Sequence, residues 1–149
     1  MELIELSKAL LTPIVAAFGA FIAWQQYKLG KQKIKLELFE KRWVILQAVR
    51  TFLGLVARDA AIDSEEVLQL RRKTFDAKFL FGEEISEYID SIFKKGIELH
   101  TTEMMLKGMP VGDERSKLVN ANTALVTWLM SQLTAMEDKF LKYFNFRKF

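Results

Sequence analysis

The stretch Ala9–Trp24, ALLTPIVAAFGAFIAW, carries no ionisable side chain and constrains this chain more than any other segment. With Gln25, Gln26 and Tyr27 added, the uncharged run extends from Lys8 to Lys28. At ~1.5 Å per helical residue it would span ~28 Å, against the ~30 Å hydrocarbon core of a bilayer. The expectation is a transmembrane helix over residues 9–27, with a short tail at 1–8 and a cytoplasmic α-helical domain over 28–149. Its alternatives are a buried core helix or a signal peptide. Trp24 and Tyr27 stand at one end of the run, where amphipathic rings favour the headgroup layer. Lys28, Lys31, Lys33, Lys35, Lys41 and Arg42 follow, against Glu37 and Glu40. Cations stay on the cytoplasmic side, which puts the N-terminus outside and makes Trp24, Tyr27, Lys28 and Lys31 interface anchors. A secretory signal starts basic, whereas this chain starts with Glu2 and Glu5.

Small residues recur three or four apart within the run: Ala9, Thr12 or Pro13, Ala16, Gly19 or Ala20, and Ala23. Leu11, Ile14, Phe18, Phe21 and Ile22 take the other face. Helices in lipid associate through close backbone approach at small side chains, so Ala16, Gly19, Ala20 and Ala23 are the expected packing positions of a homo-oligomer. Pro13 sits early in the run, where a modest kink is tolerated.

Composition narrows the classes that remain. There is no cysteine, hence no disulfide, thiolate metal site or thiol nucleophile, and no cofactor is implied. The net charge is +3, and the cations next to the run match an anionic lipid surface. Nucleic acid is the competing, less favoured partner for that charge. About 120 residues lie beyond the run, enough for one domain with its own core. Two prolines and seven glycines leave long stretches free of breakers, which argues for helices.

Helical spacing continues from Tyr27 to about Arg58, with Ile34, Leu38, Phe39, Trp43, Leu46, Val49, Phe52, Leu53 and Val56 on one side. Lys35, Glu37, Lys41, Arg42 and Arg50 take much of the other. Gly30 is either tolerated within one long helix or a hinge. Asp63-Ser-Glu-Glu66 marks the next start, with Asp63 or Ser64 as cap and Glu66 reaching back. That helix is expected to run to Phe81 and stop at Gly82, with Phe75, Phe79, Leu80 and Phe81 as a core cluster. A third begins near Glu83 and reaches Lys107, with Ile85, Tyr88, Ile89, Ile92, Phe93 and Ile97 in register. Gly108-Met-Pro-Val-Gly112 breaks the chain, and a last helix runs from Asp113 to about Tyr143. The predicted fold is all-α: a transmembrane helix continuing into a cytoplasmic helical bundle. The end, Lys139–Phe149, mixes aromatics with four cations, a composition that suits packing into the body, a membrane surface or base stacking.

Catalytic signals are sparse. No H-E-x-x-H, phosphate-cradling glycine loop or G-x-S-x-G occurs, and His100 is the one catalytic candidate. Small helical HEPN ribonucleases carry an Arg, four to six spacer residues and a His on one helix. Lys94-Lys-Gly-Ile-Glu-Leu-His100 resembles that pattern with lysines where the arginine would stand. Ile22–Arg50, with IAWQQYK and KIKLELFEKRW, and Thr74–Ile89, TFDAKFLFGEEISEYI, resemble small single-span bacterial membrane proteins. One span, a helical cytoplasmic body and an altered Arg–His motif together look like the membrane-bound HEPN-like accessory proteins of type VI CRISPR systems. That resemblance implies an oligomeric inner-membrane pore that strengthens antiphage defence. A membrane-tethered HEPN-like ribonuclease using His100, and a non-catalytic anchor or scaffold for a cytoplasmic partner, are the other expectations.

Overall fold

The computed structural model describes residues 2–144, with side chains from Leu11 onward apart from Thr12. As expected, the fold is all-α, and no strand occurs among the described residues. Five helices follow one another: α1 Glu2–Asp59, α2 Ser64–Lys73, α3 Ala77–Phe81, α4 Glu83–Lys107 and α5 Asp113–Leu141. The chain divides into two compact units, Met1–Phe39 and Glu40–Phe149. The backbone of α1 stays helical through Gly30, so the hinge alternative at that position is not taken.

Among the described residues no helix is long and apolar enough to cross a membrane. Of the expected span, the side chains of Ala9, Leu10 and Thr12 lie outside the described ones. In the first unit every described large hydrophobic side chain from Leu11 to Leu36 is more than half exposed, from 52 % at Ile22 to 67 % at Ile34. The apolar side expected of α1 becomes buried only from Ile45: Leu46, Val49, Phe52, Leu53 and Val56 are core, while Trp43 keeps 43 % exposure.

In the second unit those α1 residues join Ile85, Ile89, Ile92 and Leu99 of α4 and Leu129, Met136 and Phe140 of α5 in one apolar cluster. The buried register of α4 runs through Ile92, Gly96, Leu99 and Thr102, so Phe93 is only partly buried and Ile97 is exposed. Gly96 explains the choice. A β-carbon there would lie 2.6 Å from Cζ of Phe52, closer than van der Waals contact allows. The ring of Phe52, itself 3 % exposed, occupies the space that a larger residue at position 96 would need.

The helix expected over residues 64–81 is broken. It starts as predicted, with the Glu66 carboxylate accepting from the Asp63 N–H at 3.3 Å. At Thr74 the hydroxyl donates to the Leu70 carbonyl at 2.7 Å, and the next backbone bond runs from Ala77 N–H to the Thr74 carbonyl. A side chain that bonds its own helix's carbonyl competes with the ladder, and a turn separates α2 from α3. The expected aromatic core cluster divides with it. Phe81 is buried and Leu80 packs against the core, but Phe75 is 76 % and Phe79 82 % exposed. Gly82, at φ +90°, then turns the chain into α4, a conformation that L side chains rarely adopt. At the far end of α4, Nη1 of Arg115 donates to the carbonyls of Leu106 and Met109, both at 2.7 Å, across the predicted breaker.

Two glycines of the body should respond oppositely to alanine. Gly54→Ala meets open space and should raise unfolding free energy by about 0.5–1 kcal/mol through helix propensity alone. Gly96→Ala gains the same propensity but must displace Phe52, and overpacking of about 1–3 kcal/mol should leave it less stable than the parent in urea titration.

Candidate functional site

His100 lies on α4 and its Nδ1–H donates to the Ile62 carbonyl at 3.0 Å, in the link between α1 and α2. One turn on, the Glu103 carboxylate accepts from the Ile62 N–H at 3.4 Å through Oε2. His100 and Glu103 therefore grip both backbone polar groups of one residue, whose side chain is itself buried. That bond assigns the Nδ1 tautomer to a structural task and leaves only Nε2 for proton transfer. Oε1 of Glu103 is buried without a protein partner among the described residues. Burial raises the Glu103 carboxyl above its ordinary range, only partly countered by the Ile62 N–H and by His100. The cations of the HEPN-like pattern are not assembled on this histidine: Lys94 is exposed, and Lys95 pairs with Glu98 at 3.1 Å.

The membrane-facing candidates all sit on α1. Ala16, Gly19, Ala20 and Ala23 are exposed and, at helical spacing, share one face. A β-carbon on Gly19 would meet nothing within 4 Å. Trp24, Tyr27, Lys28 and Lys31 form two stacked pairs, with the Lys28 ammonium 5.4 Å from the Trp24 ring and that of Lys31 4.7 Å from Tyr27. Each pair bridges one helical turn and draws a cation over an aromatic face. Phe21 lies against Trp24 at 6.4 Å.

Arg42 does not behave as its place in the basic run suggests. Its Nε donates to the Leu80 carbonyl at 2.9 Å and its Nη1 to the Tyr143 carbonyl at 2.8 Å. The guanidinium also stands over the rings of Phe81 and Tyr143. Desolvation lowers its pKa, the expected direction for a cation withdrawn from water. One planar fork thus joins α1 to the ends of α3 and α5, which a point-charged lysine could not do. Nothing in a run of six cations distinguishes this one in sequence. Glu103 was equally inconspicuous, although its position three residues after His100 places both on one helix face.

One larger concavity lies between α4 and α5. It has a volume of ≈ 640 Å³ and is lined by Ile97, Thr101, Met105, Ala121, Leu125 and Trp128 among others. Its lining is largely apolar, with the Lys95–Glu98 ion pair, Thr101 and Thr102 as its polar members. Compared with protein families, curated proteins and solved structures, the chain matches none. The resemblance drawn from the IAWQQYK, KIKLELFEKRW and FLFG stretches therefore stands on those residues alone.

Removing the Arg42 fork should leave two carbonyls unsatisfied, so Arg42→Met should cost about 2–4 kcal/mol in urea denaturation, with Arg42→Lys restoring less than half. Glu103 gives a signed pH effect. Its folded-state pKa is raised, so the folded chain holds that proton more tightly, and its stabilisation is lost as pH rises through the raised value. Above the ordinary carboxylate range Glu103→Gln should be more thermally stable than the parent, while at acid pH the two should converge, as melting temperatures across a pH series would show.

Proposed function

We propose that this chain is a homo-oligomeric protein of the bacterial inner membrane, anchored by the apolar run of α1, whose spans line or surround a pore. The observation that carries this reading is the exposure of every described large hydrophobic side chain from Leu11 to Leu29. Apolar surface of that extent is costly in water and neutral in hydrocarbon. Taken with Ala9 and Leu10, the uncharged sequence matches a bilayer's thickness. The Trp24–Lys28 and Tyr27–Lys31 pairs supply the aromatic and cationic belt at one end, with the N-terminus outside and the body in the cytoplasm. Ala16, Gly19, Ala20 and Ala23 present a face that neighbouring spans can approach closely. Disturbance of the membrane barrier during antiphage defence is the role that the resemblance implies for such an assembly.

A second reading is favoured by the groove between α4 and α5, whose lining includes Ile97, Met105, Leu125 and Trp128, an apolar surface of the kind on which a partner's amphipathic helix docks. The chain would then be an anchor or scaffold. His100, held through Nδ1 by Ile62, gives the ribonuclease reading little support.

Membrane integration should resist alkaline carbonate, and the detergent-solubilised particle should weigh several times one chain. Overproduction should let a small dye or potassium leak from cells, and Gly19→Leu should abolish the leak without lowering the amount of integrated protein. A particle of one or two chains and an intact barrier would select the scaffold; release by carbonate would remove both readings.

A further inference from the structure

From Leu118 to Met136 no side chain of α5 is ionisable. The run is as long as the one in α1, ~28 Å as a helix, yet it belongs to the packed body. Leu129 and Met136 take one side of it into the core. The other side is open and bears no charge: Val119, Asn120, Ala124, Thr127, Met130 and Ser131 are exposed. A helix face that meets only water ordinarily carries charged residues, as α4 does at Glu84, Glu87, Lys94 and Glu98. Depletion of charge marks the centre of a protein–protein interface.

One stripe of that face keeps heptad spacing: Lys117, Ala121, Ala124, Trp128, Ser131 and Asp138. Ala121, Ala124 and Trp128 also belong to the α5 wall of the groove, whose α4 wall includes the exposed Ile97 and Met105. The stripe thus continues an apolar hollow and ends in an exposed cation on one side and an exposed acid on the other. Hydroxyls along it are already engaged: Thr127 donates to the Thr123 carbonyl at 2.8 Å and Ser131 to the Trp128 carbonyl at 2.6 Å. Covering them strands no donor, which lowers the cost of drying this face.

An uncharged face has no sign with which to select an oppositely charged partner, and none that repels a copy of itself. The end charges choose the direction. Antiparallel about a two-fold axis near Trp128, the stripe brings Lys117 of each copy to Asp138 of the other; parallel, it stacks lysine on lysine and acid on acid. We infer that α5 pairs antiparallel with α5 of a second copy, through its uncharged face and the groove beside it, closing two α4–α5 hairpins into a four-helix contact. Trp128 then lies next to its counterpart at the centre of the contact, the place where aromatic anchors contribute most. The pairing rests on the homo-oligomeric reading and gives that assembly a contact outside α1.

In this register Ala124 faces Ser131 of the second copy. The chain has no cysteine, so Ala124→Cys and Ser131→Cys can be introduced singly and together in the full-length protein. Oxidation of the detergent-solubilised double variant should give a covalent dimer. Neither single variant should, because each cysteine then lies ~10 Å along the helix from its counterpart, beyond disulfide reach. Lys117→Glu or Asp138→Lys, added alone to the double variant, should lower the dimer yield about two- to fivefold. The two reversals together should restore it, which a folding defect would not allow. Dimers from either single variant, none from the double variant, or adducts with another protein alone in membranes of the producing cells would each overturn the inference. The mass of the same particle keeps the readings apart. Several chains without a disulfide refute this face and leave the membrane assembly standing, whereas a single chain refutes both. A carbonate-released chain that still forms the disulfide supports the pairing and refutes the anchor.

Discussion

The body of this protein depends on the seat of the Phe52 ring against Gly96. The ring, carried by α1, fills the space that a β-carbon on α4 would need, and both helices contribute to the same buried apolar cluster. Close packing of this kind is sensitive to single methyl groups because neighbouring side chains have little room to yield. The buried register of α4 follows from it. Ile92, Gly96 and Leu99 point inward, and the chemistry-bearing residues of the same helix, His100 and Glu103, fall at its edge and clasp the α1–α2 link.

Polar contacts then fix the two ends of the packed region. At one end Arg42 holds the Leu80 carbonyl of α3 and the Tyr143 carbonyl just beyond α5; at the other His100 and Glu103 hold Ile62. Each is a charged or ionisable side chain engaged with backbone groups that would otherwise lack a partner. Arg42 bears a lowered pKa and Glu103 a raised one, both caused first by desolvation. The sole histidine is thereby more readily understood as a joint than as a reagent.

Much of this fold was legible before any coordinates. The start at Asp63, the stop at Gly82, the breaker at Gly108–Gly112 and the extent of α4 each follow from local chemistry: a reaching carboxylate, a left-handed glycine, a proline between glycines. The Thr74 turn was hidden because threonine's bond to the Leu70 carbonyl is one of several that a helical threonine can make, and periodicity does not register it. Trp43 and Ile34 continue the apolar stripe of α1 in sequence, yet burial starts only at Ile45, where α4 and α5 supply something to pack against. Arg42 stands in sequence among the solvated cations, and its distinction is entirely tertiary. Of the candidate site, the pairing of Trp24 with Lys28 and of Tyr27 with Lys31 could be foreseen from four-residue spacing, whereas the Ile62 grip on His100 joins residues far apart in the chain.

The Arg115 contact has a consequence for how such a chain can diverge. Because its Nη1 binds the carbonyls of Leu106 and Met109 together, the link between α4 and α5 is stitched at a set length. An inserted or deleted residue there would either undo the stitch or slide Leu125 and Trp128 out of step with Thr102 and Glu98 across the groove. Sequence drift in this link is thus confined to exchanges of side chain, such as at outward-facing Val111, while its residue count behaves as a ruler for the helical pair.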